Sequence, residues 1–184
     1  MKQLIRKYIW IVPIVVGSLF AQPDWSATVN VAGAGNSYDL NFGFSPDATD
    51  GYDVGIDMYA PPAPPSGTFD AALTWIGDRY YTQILNGSSD DLVEHEYGIA
   101  LAYPSANTIN LSWDNTGWSD LMSSCLLQDA FGGMMINVDM TQETSLTLTN
   151  PAFNLLKLKV TPASPGRELS IDIDQDNIVT FTYP

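Results

Sequence analysis

The chain has 184 residues, with 21 acidic against 7 basic side chains, a formal net charge of −14, one histidine and one cysteine. That excess of negative charge argues against nucleic acid and anionic lipid as partners, because both are held by Lys and Arg that neutralise phosphate. A lone cysteine, Cys125, excludes an intramolecular disulfide, so the fold must rest on its core.

The N-terminus reads as a secretory leader: Lys2, Arg6 and Lys7, an apolar run from Tyr8 to Phe20, then Ala21 as the small residue of a cleavage site. The run contains Pro13 and is shorter than the ~20 residues a membrane span needs. Residues 1–21 are therefore expected to be a signal peptide, and 22–184 a single domain that is secreted or held at the cell surface without a membrane span. Three of the seven basic residues leave with the leader and none of the acidic ones does. The mature chain then carries 4 basic against 21 acidic residues, a net of −17, a surface that favours solubility and attracts cations.

Beyond the leader, short apolar and β-branched runs alternate with Gly, Pro, Asn, Asp and Ser, and no segment keeps a helical period. Strands are predicted at Thr28 to Ala32 and Tyr38 to Phe44, a hairpin around Gly33-Ala34-Gly35-Asn36. Further strands are predicted at Phe69 to Ile76, Arg79 to Leu85, Glu94 to Ala102, Thr108 to Trp113, Ser124 to Leu127, Met134 to Asp139, Ser145 to Thr149 and Phe153 to Val160. Leu169 to Ile173 and Ile178 to Tyr183 form a closing hairpin through Asp174-Gln175-Asp176-Asn177. Leu146 and Leu148 alternate with Ser145, Thr147 and Thr149, and Ile171 and Ile173 with Ser170 and Asp172; one wet face per strand belongs to antiparallel sheets. The fold class expected is all-β, an antiparallel β-sandwich of immunoglobulin-like or jelly-roll type. Ala60-Pro61-Pro62-Ala63-Pro64-Pro65 is read as a stiff connection inside the domain, since each Pro fixes φ and blocks ladder bonding.

Just before it, Asp47, Asp50, Asp53 and Asp57 are interleaved with Gly51 and Gly55. Hard oxygen ligands on a loop that can fold back on itself suit Ca²⁺, which makes these four aspartates the candidate metal ligands. Their spacing is not that of an EF-hand and no bidentate Glu follows, and Asp also caps turns by bonding its own backbone.

The blocks Phe42-Gly43, Ala48-Thr49-Asp50-Gly51-Tyr52-Asp53, Gly55-Ile56-Asp57, the proline segment and Phe69-Asp70-Ala71 resemble a β-rich module of large bacterial surface and secreted proteins. In those proteins it often lies just ahead of the C-terminal sorting domain of type IX secretion. Ile109-Asn110-Leu111-Ser112-Trp113-Asp114, Leu127-Gln128-Asp129 and Ile136-Asn137-Val138-Asp139-Met140 look like later blocks of the same module. The resemblance implies an extracellular, non-catalytic β-sandwich with no catalytic residues to carry over. No sorting domain follows in this chain, which turns the expectation towards a stand-alone exported subunit.

Trp25, Trp75, Trp113 and Trp118 could offer aromatic faces to sugar rings. Trp75 and Trp113 fall inside predicted strands and are expected in the core, whereas Trp118, in Asp114-Asn115-Thr116-Gly117-Trp118, is the candidate exposed, ligand-binding ring. His95, between Glu94 and Glu96, is read as a solvated strand position, because no nucleophile motif accompanies it. Cys125, in an apolar run, is expected to be buried and inert. The expected function is a non-catalytic structural or adhesion module, a subunit of an extracellular assembly whose partners are other protein subunits or cell-surface components. Strand addition through Gln22 to Ala34 or through the C-terminal hairpin would join it to a neighbour. A carbohydrate-binding module is the alternative, with glycans as partners, and a secreted hydrolase comes third.

Overall fold

In the computed structural model the described residues are 23–163, with the backbone of 170–173 and 179–182; the leader and the turn Asp174 to Asn177 lie outside them. Eleven strands share one sheet: β1 (Trp25–Gly33), β2 (Asn36–Ser45), β3 (Met58–Tyr59), β4 (Asp70–Trp75), β5 (Asp78–Asn86), β6 (His95–Ala102), β7 (Ile109–Trp113), β8 (Met122–Asp129), β9 (Asn137–Asp139), β10 (Ser145–Leu148) and β11 (Leu155–Pro162). Their spatial order is β10, β7, β1, β2, β5, β4, β6, β11, β8, β9, with β3 added on β5. Only β2 and β5 run parallel among the paired strands. The protein is nearly all-β, and the sheet wraps into a nearly closed, barrel-like form. A separate antiparallel pair, β12 (Ser170–Ile173) with β13 (Val179–Thr182), is the expected C-terminal hairpin.

Turn chemistry fixes the first hairpin. Ala34 and Gly35 both have positive φ (50° and 79°), the two-residue turn whose twist matches that of the strands it joins. Strand β1 then lies between β2 and β7: Val29 to Ala32 is paired on both edges, whereas Trp25 to Thr28 pairs with β2 alone. Over Val29 to Ala32 that corrects the expectation of strand addition through Gln22 to Ala34, because residues paired on both sides have already spent their N–H and C=O groups.

Alternation decides which side chains fill the interior. His95, Tyr97, Ile99 and Leu101 of β6 point inward, as do Val29 and Val31 of β1 and Leu40, Phe42 and Phe44 of β2. Each such aliphatic or aromatic side chain contributes about 1.5–3 kcal/mol by leaving water. Across the interior the Tyr97 hydroxyl donates to the Gly43 carbonyl at 2.5 Å, joining β6 to β2, which are not ladder neighbours. Burial pushes the Tyr97 phenol far above its ordinary pKa, so it remains a donor.

Three elements depart from the sequence reading, the first being β3, a two-residue strand just before the proline segment where none is predicted. Trp118–Leu121 form one turn of helix, α1, after Gly117 in the left-handed region (φ 77°). The strand expected from Met134 shortens to Asn137–Asp139, because Gly132 and Gly133 both adopt positive φ and hold Met134 and Met135 in a loop. No helix among the described residues is long and apolar enough to cross a membrane.

Candidate functional site

The aspartate-rich loop between β2 and β3 packs on the end of β5, and backbone amides claim most of its carboxylates. Asp57, 7% exposed, accepts the Asp53 N–H on Oδ2 and the Ile84 N–H on Oδ1, both at 2.8 Å. Asp53 Oδ2 accepts the Thr49 N–H (2.6 Å) and hydroxyl (3.0 Å). Asp50 Oδ1 accepts the Asn86 N–H at 3.3 Å, while the Asp47 amide donates to Ser45 Oγ at 3.2 Å. Burial raises the Asp57 pKa; its two backbone N–H bonds pull the other way, and the Asp53 charge adds to the rise. The loop thus brings Asp53 and Asp57 together and sets Asp50 against β5. Among the described residues no group of three His, Cys, Asp or Glu side chains is arranged to hold a metal ion.

Trp118 is not an exposed ring. It is 6% exposed and packs edge-on against Trp25 (5.6 Å, 75°) and Phe42 (6.3 Å, 84°), because the α1 turn folds it back over the core. Trp113 is buried as expected, its indole N–H donating to the carbonyls of Glu143 (2.7 Å) and Met140 (3.0 Å). Trp75 is partly buried against the same core. Cys125 is buried, and burial pushes its thiol up to about 12, so no thiolate nucleophile is present near neutrality.

His95 also departs from expectation. It is 5% exposed, with its ring stacked on Phe44 at 4.7 Å and 20°. Its neighbours Glu94 and Glu96 carry the outward role, accepting from Lys159 and Lys157 on β11 at 2.7 Å each. No nucleophilic Ser, Thr or Cys side chain is hydrogen-bonded to His95 among the described residues.

Two features escaped the sequence reading. A stack of tyrosines reaches the surface beside the aspartate loop: Tyr52 on Tyr59 (4.2 Å, 6°) and Tyr59 on Tyr80 (5.0 Å, 24°), with Tyr52 40% and Tyr59 49% exposed. The signal available was two tyrosines in a segment too rich in Asp, Gly and Pro to bury them. The second feature is the loop between β8 and β9, where Phe131, Met134 and Met135 are exposed. Asp129 holds that loop in shape, accepting the Phe131 N–H on Oδ1 and the Met135 and Ile136 N–H groups on Oδ2, each at 2.7 Å. Those amide bonds, the one from Ile136 foremost, hold its carboxyl below the usual range. The Asp-then-Gly-Gly spacing was the available signal.

No protein-family model, curated protein or solved structure matches this chain.

Proposed function

We propose that the protein is a non-catalytic module, exported by the N-terminal leader to the cell surface or beyond, that serves as a subunit of an extracellular assembly with other copies of itself. One observation carries this reading: the sheet ends on two short strands, β9 and β10, and the exposed Phe131, Met134 and Met135 sit immediately before β9. Unpaired strand edges invite a further strand, and an exposed apolar group beside such an edge is what a partner would cover. Within the all-β class we read the fold as the sandwich: Tyr97 reaching directly from β6 to the β2 backbone suits two sheet halves pressed together more than a round barrel. Calcium enters only as a candidate ligand of Asp47, Asp50, Asp53 and Asp57.

Light scattering during size exclusion tests the assembly. Wild-type protein is expected to gain mass with concentration, and Phe131→Ser with Met134→Ser to remain a monomer. A wild type that stays monomeric at every concentration, with and without Ca²⁺, overturns the reading.

The Tyr52–Tyr59 stack favours a second reading, a carbohydrate-binding module, because an exposed phenol face supports a sugar ring as the buried Trp118 does not.

A further inference from the structure

The loop joining β5 to β6 stands over one end of the core and is pinned by carboxylates. Ser89 N–H donates to Asp24 Oδ2 (2.6 Å), Ser88 N–H to Asp91 Oδ2 (2.8 Å) and Val93 N–H to Asp91 Oδ1 (3.0 Å). Between the two last contacts Leu92 is held at φ 53°, a left-handed conformation that a leucine adopts only under constraint. The carboxylate of Asp91 is therefore set in one orientation.

Beneath it lies His95. Gly87 makes room for that ring, since a Cβ at position 87 would sit 2.2 Å from His95 Cε1. The buried Nε2 has no hydrogen-bond partner among the described residues and faces Asp91 Oδ1 at 3.8 Å. A buried polar atom without a partner costs about 1–3 kcal/mol, so its persistence needs a reason. Here a cleft of about 400 Å³ opens, lined by Asp50, Asp91 and His95 together with Trp75, Leu85 and Val93. Trp75 Nε1 is a second buried polar atom with no partner among the described residues.

The charges on the rim are unevenly answered. Glu94 and Glu96 are paired with Lys159 and Lys157 at 2.7 Å, whereas Asp50 and Asp91 have no Lys or Arg partner among the described residues. The acidic side chains border a space rather than converging on a point, and no three are placed to hold a metal. That arrangement suits a larger cation with several N–H donors. Its stem would lie on Leu85, Val93 and Trp75, while its charged end would meet the two aspartates. Burial holds the His95 pKa down against the upward pull of Asp91 and Asp50, which keeps the imidazole neutral and able to accept.

We propose that this cleft binds an alkyl-guanidinium or alkyl-ammonium group, with Asp50 and Asp91 as counter-charges and His95 Nε2 as a hydrogen-bond acceptor. The cation can belong to a small molecule or to an Arg or Lys side chain of another polypeptide, and both present the same chemistry. The site is independent of the assembly contacts at β9.

His95 is the single histidine of the chain, so its imidazole proton resonances report on this cleft without ambiguity. Titration of the whole protein with n-butylguanidine, and separately with a capped Gly-Arg-Gly peptide, is expected to move those resonances saturably. Asp50→Asn and Asp91→Asn should each weaken binding by about tenfold, as loss of a charge-assisted bond implies. Asp39→Asn, towards the opposite end of β2, should leave it unchanged. A response to butylguanidine alone assigns the cleft to a free small molecule; a response to the peptide as well assigns it to a basic side chain. A wild-type titration with no saturable shift, which needs no variant to fold, overturns the proposal. So does equal weakening by all three substitutions, the mark of diffuse surface charge.

Discussion

Two groups of aromatic side chains, both set among Asp, Asn and Gly, meet opposite fates. Around Trp118 the rings turn inward: Trp118 meets Trp25 edge-on, Trp25 stacks on Phe44 at 5.6 Å, and Phe44 stacks on His95. Around Tyr52 they turn outward, ending in a half-exposed face on a loop that belongs to no ladder. What separates them is what lies next along the chain. Trp118 is followed at once by β8, whose Met122 and Cys125 enter the core and draw the helical turn down with them. Tyr52 is followed by Gly55 and by β3, a two-residue strand on β5 whose Met58 and Tyr59 are both exposed, before the Pro61 to Pro65 segment blocks further ladder bonding. Both places are rich in Asp and Gly; the length and burial of the strand that follows decide.

The largest effect expected from this contrast is at Trp118. Its replacement by alanine empties a site enclosed by Trp25 and Phe42, and should lower unfolding free energy by about 3–5 kcal/mol in a denaturant titration. A loss below about 1 kcal/mol would mean that the ring is on the surface after all and would return it to the sugar-binding reading.

Asp57 comes next, because it ties the outward-facing loop to β5. Asp57→Ala leaves the Asp53 and buried Ile84 N–H groups without their acceptor, a cost of about 2–6 kcal/mol at roughly 1–3 kcal/mol for each of the two donors. The pH dependence follows from the direction of its shift. A carboxyl whose folded pKa is raised gives its full contribution below the unfolded value near 4, and loses part of it as pH rises through the folded pKa. The stability gap between wild type and Asp57→Ala should therefore be wider near pH 4 than at pH 7. A gap that narrows on acidification would mean that the backbone bonds outweigh burial at this carboxyl.

The same contrast explains what could be read in advance. Alternation gave the all-β class and placed β6, β7 and β11, since a period of two with one apolar face has few other solutions, and Gly33 to Asn36 announced its turn. The buried Cys125 followed from its apolar surroundings. His95 did not: its flanking glutamates are outward-facing partners of Lys157 and Lys159, and alternation alone says only that His95 faces the other way, not that Gly87 has cleared a buried place for it. The aspartates near Asp57 were visible as a group, but which lone pairs the backbone would claim depended on Ile84 and Asn86, distant in sequence. Asp91 was passed over because its significance depends on the unpartnered imidazole beneath it.

The smallest effect on stability belongs to Tyr52. Its ring contributes a stacking contact with Tyr59 that is worth about 0.5–1.5 kcal/mol when buried and less at an exposed site, so Tyr52→Ala should change the unfolding midpoint only slightly. Binding is where the residue is informative. If the exposed tyrosine face supports a sugar ring, glycan-array signal present in the wild type should vanish in Tyr52→Ala while the fold persists, a separation that Trp118→Ala cannot offer because it damages the core. A signal unchanged by Tyr52→Ala would remove the stack from any sugar-binding role. It would leave Tyr52 as a cover over Tyr59, which itself shields Tyr80, whose phenol burial has pushed up to about 12.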